Sequence, residues 1–130
     1  MTRTIYLAGP MRGLPDLNWP AFDEAARQLR AMGHTVINPA DLDREAGLDE
    51  NQEVTNESLR EAAARDLVAI AARCDTLVLL PGWLYSKGAI AEQMVAKWLD
   101  MEVMLWIDGG MVPNGPFTEW SRHGLGESDE

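Results

Sequence analysis

Four short apolar runs, each separated from the next by enough chain for a helix, constrain this sequence more than any other feature. They are Thr4-Ile5-Tyr6-Leu7-Ala8, His34-Thr35-Val36-Ile37-Asn38, the stretch from Asp75 to Leu80, and Glu102-Val103-Met104-Leu105-Trp106-Ile107. Gly9-Pro10 stops the first run, Pro39 the second and Pro81 the third. Runs this short and this continuously apolar read as strands buried on both faces of a parallel sheet. Between the first two, Pro20 suits a first helical position, Phe22, Ala25, Ala26, Leu29 and Met32 form one stripe, and Gly33 ends it. Ser58-Leu59-Arg60-Glu61 fits a capping box, with Thr55 or Asn56 as earlier possible starts, and leads a stripe of Leu59, Ala63, Leu67, Ile70 and Cys74. A third helix opens at Gly88 and carries Ile90, Met94, Val95, Trp98 and Leu99.

Strand and helix in alternation imply a parallel sheet with helices on both faces. The expected fold is α/β: one flavodoxin-like or Rossmann-like three-layer domain with a parallel sheet of four to five strands in the order 2-1-3-4. The domain is expected over residues 1–108, followed by a Gly/Pro-rich, acidic tail over 109–130 with at most a short helix near Phe117 to Arg122. Residues Ala40 to Thr55 are polar, acidic and without clear period, so they read as a long loop, which in a small domain is usually functional or mobile.

Composition narrows the partners. A chain of 130 residues is one domain with room for a real core. Its formal charge of −10 argues against polymeric DNA or RNA, which is held by basic stripes, yet leaves room for a single nucleotide. The one cysteine, Cys74, cannot form an internal disulfide, which suits a reducing, cytoplasmic setting. It falls at the end of an apolar helix face and reads as a small core residue. No stretch approaches transmembrane length, the N-terminus lacks a signal-peptide layout, and His34 and His123 stand apart with no ligand-spaced neighbours. Neither a membrane, a metal nor a cofactor is expected.

In parallel α/β sheets ligands bind beyond the carboxyl ends of the strands, where the strand order reverses. That gathers the loops Gly9–Trp19, Ala40–Thr55 and Pro81–Lys87 into one predicted site. The sharpest signal there is Ser86-Lys87-Gly88-Ala89-Ile90-Ala91-Glu92. A helix N-terminus offers free N–H groups and a positive dipole end to an anion, and helical side chains lean back toward it. Gly88 and Ala96, a turn either side of Glu92, leave its face bare enough for a ligand; an exposed Glu favourably placed near a helix start is the plain alternative. Asp66 has only Ala62, Ala63, Ala69 and Ile70 at helical spacing, so no local salt bridge accounts for it, while Arg65 beside it reads as pointing away into solvent. A surface Asp on a helix edge is its alternative reading. Arg12, and Lys87 beside the helix start, could hold a phosphate, or could be solvated. Tyr6 lies in a strand, where a core role is the ordinary one. Of five tryptophans, Trp98 and Trp106 read as structural, whereas Trp19 and Trp83 fall in loops at the ligand edge, where an indole could stack on a base or cover a sugar. Met11 could wall the same pocket.

Tyr6-Leu7-Ala8-Gly9-Pro10-Met11-Arg12-Gly13, the helix with Arg65-Asp66-Leu67 and the Ser86-x-Gly88-x-x-x-Glu92 helix start, in this order, resemble the nucleoside 2-deoxyribosyltransferase superfamily. The superfamily includes the 2′-deoxynucleoside 5′-monophosphate N-glycosidases, and the nearest likeness is to its short, uncharacterised branch, often phage-encoded. The resemblance spans about residues 3 to 107. It implies Glu92 as the nucleophile at the anomeric carbon, Asp66 as the residue that positions the sugar and assists protonation of the departing base, and Tyr6 as the group that orients the carboxylate. It implies that Arg12, Gly13, Ser86 and Gly88 surround a 5′-phosphate, in a pocket to which Gly9, Met11 and Lys87 also belong. It further implies a homodimer or higher homo-oligomer. Ala89 stands where the transferases usually carry threonine after the glycine, and Trp83-Leu84-Tyr85 makes a bulkier turn than theirs. The expected function is therefore an N-glycosidase or deoxyribosyltransferase acting on a nucleotide or nucleoside. The alternatives are an inactive nucleotide-binding module and an accessory interaction protein, of the kind phages encode, that uses exposed tryptophans.

Overall fold

In the computed structural model, which describes residues 2–114, the run Thr4–Ala8 becomes β1 and pairs in parallel on both sides. β2 (Thr35–Ile37) flanks it with Ile37 opposite Tyr6, and β3 (Thr76–Leu79) flanks it with Leu77 opposite Tyr6. β4 (Glu102–Ile107) continues the parallel sheet beyond β3. The order is β2-β1-β3-β4-β5, which contains the expected 2-1-3-4. The fifth strand, β5 (Gly110–Pro113), lies in the stretch read as tail and, unlike the parallel strand expected, returns antiparallel to β4, with Gly110 opposite Ile107. Its turn is Asp108-Gly109, both residues at positive φ of 52° and 75°, the backbone of a two-residue hairpin whose twist matches the strands. The sheet thus continues past residue 108. The short helix expected near Phe117 to Arg122 lies outside the described residues.

Side chains alternate across each strand and divide the core in two. Ile5, Leu7, Val36, Val78, Leu80, Met104 and Trp106 face α1 (Trp19–Ala31), which answers with Trp19, Phe22, Ala25, Ala26 and Leu29. Met32, read as the end of that stripe, caps the helix and is about half exposed. The opposite face carries Tyr6, Ala8, Ile37, Leu77, Leu79, Val103 and Leu105. These three layers are the expected ones.

The segment read as a long loop is partly helical. α2 (Pro39–Glu45) starts directly after β2, with Pro39 at its first position and the Asn38 side chain accepting the Ala40 N–H at 3.0 Å. An Asn cap followed by Pro is itself a helix-start signal, hidden here because the same two residues also end a strand. Residues 46–55 remain irregular. α3 (Asn56–Arg73) begins at the earlier of the possible starts: Thr55 Oγ1 accepts the Ser58 N–H at 3.1 Å and Ser58 Oγ accepts the Thr55 N–H at 3.0 Å.

α3 and α4 (Lys87–Trp98) cover the Tyr6 face of the sheet with part of the stripes that hydropathy selected: Leu67, Ile70 and Cys74 from one, Ile90 and Val95 from the other. α3 buries Ala69 and Ile70, whereas Ala63 is exposed. α4 buries Ala89, Gln93 and Ala96 against the sheet and turns Met94 and Trp98 outward, so Trp98 is a surface residue rather than the core residue expected. Small side chains at the contact let the helix approach closely, and the bulky apolar ones are displaced to the flank. Among the described residues no helix is long and apolar enough to cross a membrane.

Where β1 ends, Gly9 passes so near β3 that a Cβ placed on it would lie 2.9 Å from Leu80 Cβ. Neither strand end can yield without disturbing the sheet. Gly9→Ala is therefore expected to lose about 1–3 kcal/mol of stability in urea unfolding, the usual cost of overpacking; an unchanged midpoint would show that the strand ends separate freely.

Candidate active site

Because β1 is an interior strand and Tyr6 points to the α3/α4 side, its phenol is carried between those two helices with the ring fully buried. The hydroxyl donates to Glu92 Oε2 at 2.9 Å. Glu92 stands in the second turn of α4, one residue from the buried Gln93, and remains partly open to solvent. Asp66, on α3, is close enough that its charge acts on both Tyr6 and Glu92. Tyr6, Glu92 and Asp66 are thus brought together from three distant segments of the chain.

Two carboxylates held near one buried phenol cannot both ionise cheaply. Burial pushes Glu92 up to about 8; the neighbouring Asp66 charge adds to the rise and the Tyr6 hydrogen bond opposes it. Asp66 is also raised, first by burial, against the opposing charge of Arg65. Burial, with both carboxylates, holds the Tyr6 hydroxyl well above its ordinary range, so it is a hydrogen-bond donor throughout the neutral range. The Cys74 thiol is pushed up to about 11 by burial, which suits packing and not nucleophilic work.

Arg65 is not the solvated residue expected. Its guanidinium folds back so that Nε donates to Asp66 Oδ1 at 3.0 Å, while a terminal nitrogen meets Asp43 Oδ1 at 2.6 Å. Adjacent helical positions do not ordinarily face each other, which is why the pairing is invisible in the spacing. Asp43 comes from α2, in the stretch that reads as a loop, and its carboxylate is nearly buried.

The phosphate candidates occupy the two loops beyond β1 and β3. Pro10 packs against the second of them: a Cβ on Gly82 would meet Pro10 Cγ at 3.3 Å. Arg12 and Gly13 are exposed, and among the described residues neither Arg12 nor Lys87 makes an ion pair. Ser86 caps α4 by accepting the Ala89 N–H at 3.1 Å, leaving the first-turn N–H groups of Lys87 and Gly88 without an intrahelical acceptor. Space beside Gly88 is open: a Cβ there would find only Ser86 Oγ nearby, at 3.9 Å. The loop before α1 is held by Asn18, whose Nδ2 donates to Pro10 O at 2.9 Å, and it runs through three successive left-handed residues, Asp16, Leu17 and Asn18. Met11 is partly buried against the α1-side core.

The indoles are not open to a ligand. Trp19 is 3% and Trp83 2% exposed, the first in the α1-side core under the Arg44 guanidinium, 4.7 Å from its ring, and the second in the α3/α4-side core. Packing has taken the faces that would stack on a base. Ala89 is buried in the same core as Trp83, so the threonine hydroxyl it lacks is missing from the sheet-facing side of α4.

The family described as "Domain of unknown function (DUF4406)" matches residues 3–105. The chain belongs to the DUF4406 family. Comparison with curated proteins gives no match. Among solved structures, this DUF4406 protein is similar to a 2-deoxyribosyltransferase from the psychrotolerant bacterium Bacillus psychrosaccharolyticus, with 29% identity and a TM-score of 0.58. The likeness covers 78% of this chain and 70% of that one. Sheet order, helix placement and this likeness put the DUF4406 fold in the nucleoside deoxyribosyltransferase-like superfamily.

The raised Glu92 fixes the sign of a stability effect. Between the ordinary glutamate value of 4.5 and about 8, the unfolded chain has lost this proton and the native DUF4406 protein keeps it. The native state then binds more protons, so stability falls as pH rises through that window. Glu92→Gln removes the penalty. Thermal melts are expected to place the variant about 1–3 kcal/mol above the parent at pH 9, with the gain vanishing toward pH 5; a gain independent of pH would contradict the shift.

Proposed function

We propose that this chain cleaves the N-glycosidic bond of a 2′-deoxynucleoside 5′-monophosphate, or of a nucleoside, using Glu92 as nucleophile. The observation that carries the reading is the Tyr6 hydroxyl held 2.9 Å from Glu92 Oε2 with Asp66 beside the pair. A carboxylate suits this chemistry because it stabilises positive charge developing on the sugar ring and then closes a covalent bond to it. In the reactive state Glu92 is ionised and Asp66 protonated. Glu92 attacks C1′, the C1′–N bond breaks with its electron pair leaving on the base, and the base nitrogen takes the Asp66 proton. Water or an acceptor base, activated by the Asp66 carboxylate, then resolves the glycosyl ester.

The substrate preference follows from the loops. Arg12, Gly13, Ser86, Lys87 and Gly88 combine two cations that make no ion pair among the described residues with the open N-terminus of α4, a setting suited to a 5′-phosphate. Gly9 and Met11 belong to the same loop, with Met11 as an apolar wall. The likeness to a 2-deoxyribosyltransferase supports a deoxyribosyl substrate. A homodimer has a ready surface on α3 and α4, where Val68, Met94 and Trp98 are 64%, 63% and 78% exposed.

Incubation with a panel of deoxynucleoside monophosphates and nucleosides, followed by chromatography of free base, tests the assignment. Release is expected, with Glu92→Gln at least about a thousandfold slower. Thermal stabilisation by a nucleotide without any release would return the protein to an inactive binding module. Arg12→Ala is expected to raise KM for the monophosphate by about tenfold or more, and to leave the nucleoside nearly unaffected. In sedimentation, Trp98→Glu is expected to convert a dimer to monomer; a parent that sediments as a monomer removes the dimer from the reading.

A further inference from the structure

Arg65 is the charged group that the glycosyl-transfer chemistry leaves without a task. It is inside the site's wall and not on the surface, with about a quarter of its side chain exposed against roughly a seventh for Asp66 and a tenth for Asp43. Its guanidinium spans two helices: Nε reaches Asp66 Oδ1 on α3 at 3.0 Å, and a terminal nitrogen reaches Asp43 Oδ1 on α2 at 2.6 Å. Such a fork fixes direction as well as charge, because the guanidinium is planar and its donors are rigidly spaced. Asp43 is in turn anchored by the short helix that Asn38 caps, so the bridge has a rigid base.

We propose that Arg65, braced by Asp43, is a positioning residue that decides which of the two facing carboxylates, Asp66 or Glu92, carries the proton when the site is empty. Four groups face Asp66 from the elements around it. They are Arg65 on its own helix, Asp43 on α2, Tyr6 on β1 and Glu92 on α4. Arg65 alone among them is cationic. It lowers the cost of charge on Asp66 and makes no contact with Glu92 among the described residues, so the empty site holds Asp66 ionised and Glu92 neutral. Glycosyl transfer needs the reverse assignment. One proton must pass from the Glu92 carboxyl to the Asp66 carboxylate, leaving one negative charge on the pair before and after. Tyr6, which donates to Glu92 and feels the charge of Asp66, stands beside both carboxyls. Arg65 thus favours the proton resting on the proposed nucleophile in the ligand-free protein. The catalytic meaning of this device rests on the glycosyl-transfer reading; the resting place of the proton does not.

Carboxyl-carbon NMR titration of the ligand-free protein separates the two. In the parent, Asp66 is expected to ionise at lower pH than Glu92. In Arg65→Gln the Asp66 midpoint is expected to rise by about one pH unit or more, the effect of losing an adjacent opposite charge, and the Glu92 midpoint to fall as Asp66 becomes neutral beside it. Arg65→Met repeats the test if the glutamine variant does not fold. If the parent releases base, the rising limb of kcat/KM with pH is expected to move to lower pH in the same variant, which a merely structural role for Arg65 would not produce. Asp66 and Glu92 midpoints that stay within about 0.3 unit of the parent in a folded variant overturn the proposal, whether or not the protein turns over any nucleotide. Shifted midpoints in a protein that cleaves nothing uphold the proton assignment and refute the reaction.

Discussion

The hydrogen bond from Tyr6 to Glu92 is the contact on which the arrangement depends, because it joins an interior strand to a helix residue 86 positions later in the chain. Its geometry is set by the sheet. β1 is hydrogen-bonded on both edges, so its register cannot slip without breaking two parallel pairings. A one-residue slip would send Tyr6 to the α1 side and leave the carboxylates without their donor. The phenol therefore serves as the fixed point against which α3 and α4 bring their acids, and the helix faces that look unusual by hydropathy make sense as the means of bringing them there. Ala89, Gln93 and Ala96 let α4 settle against the sheet, with Glu92 on the adjoining face toward Tyr6.

That placement has an electrostatic cost. The carboxylate proposed as nucleophile is put in a largely buried place with a second carboxylate near, so its charge is disfavoured in the free protein. Sites that work by moving a proton between paired acids share this tension, since environments that push two pKa values apart also assign donor and base. Here the cation on one side and the phenol on the other make the pair unsymmetrical. The same polarity extends outward, toward a helix start and an exposed arginine that makes no ion pair among the described residues.

Much of this was legible in the residues. β1 and β4 have the bounds their apolar runs suggested, the parallel sheet follows from alternation with helices, and Tyr6, Asp66 and Glu92, singled out together by the family resemblance, meet between β1, α3 and α4. What escaped did so for identifiable reasons. The Asp108-Gly109 hairpin was written in a dipeptide, but the Gly- and Pro-rich run around it read as tail. Asn38 and Pro39 each serve two elements, and the strand reading concealed the helix reading. On α4, hydropathy ranks Met94 and Trp98 above alanine, whereas close packing on a sheet favours small side chains. Trp19 and Trp83 stand at the ligand edge in sequence, but large rings near a sheet edge gain more from burial than from waiting for a ligand. Arg65 was hidden because its pairing depends on a long side chain turning back toward a helix that had not been anticipated.

The most direct test of Glu92 as nucleophile is to quench the protein during reaction with a deoxynucleoside monophosphate and map any covalent adduct by mass spectrometry. A deoxyribosyl-phosphate ester is predicted on the peptide containing Glu92, absent from Glu92→Gln. An adduct on Asp66, or base release that persists in Glu92→Gln, would contradict it.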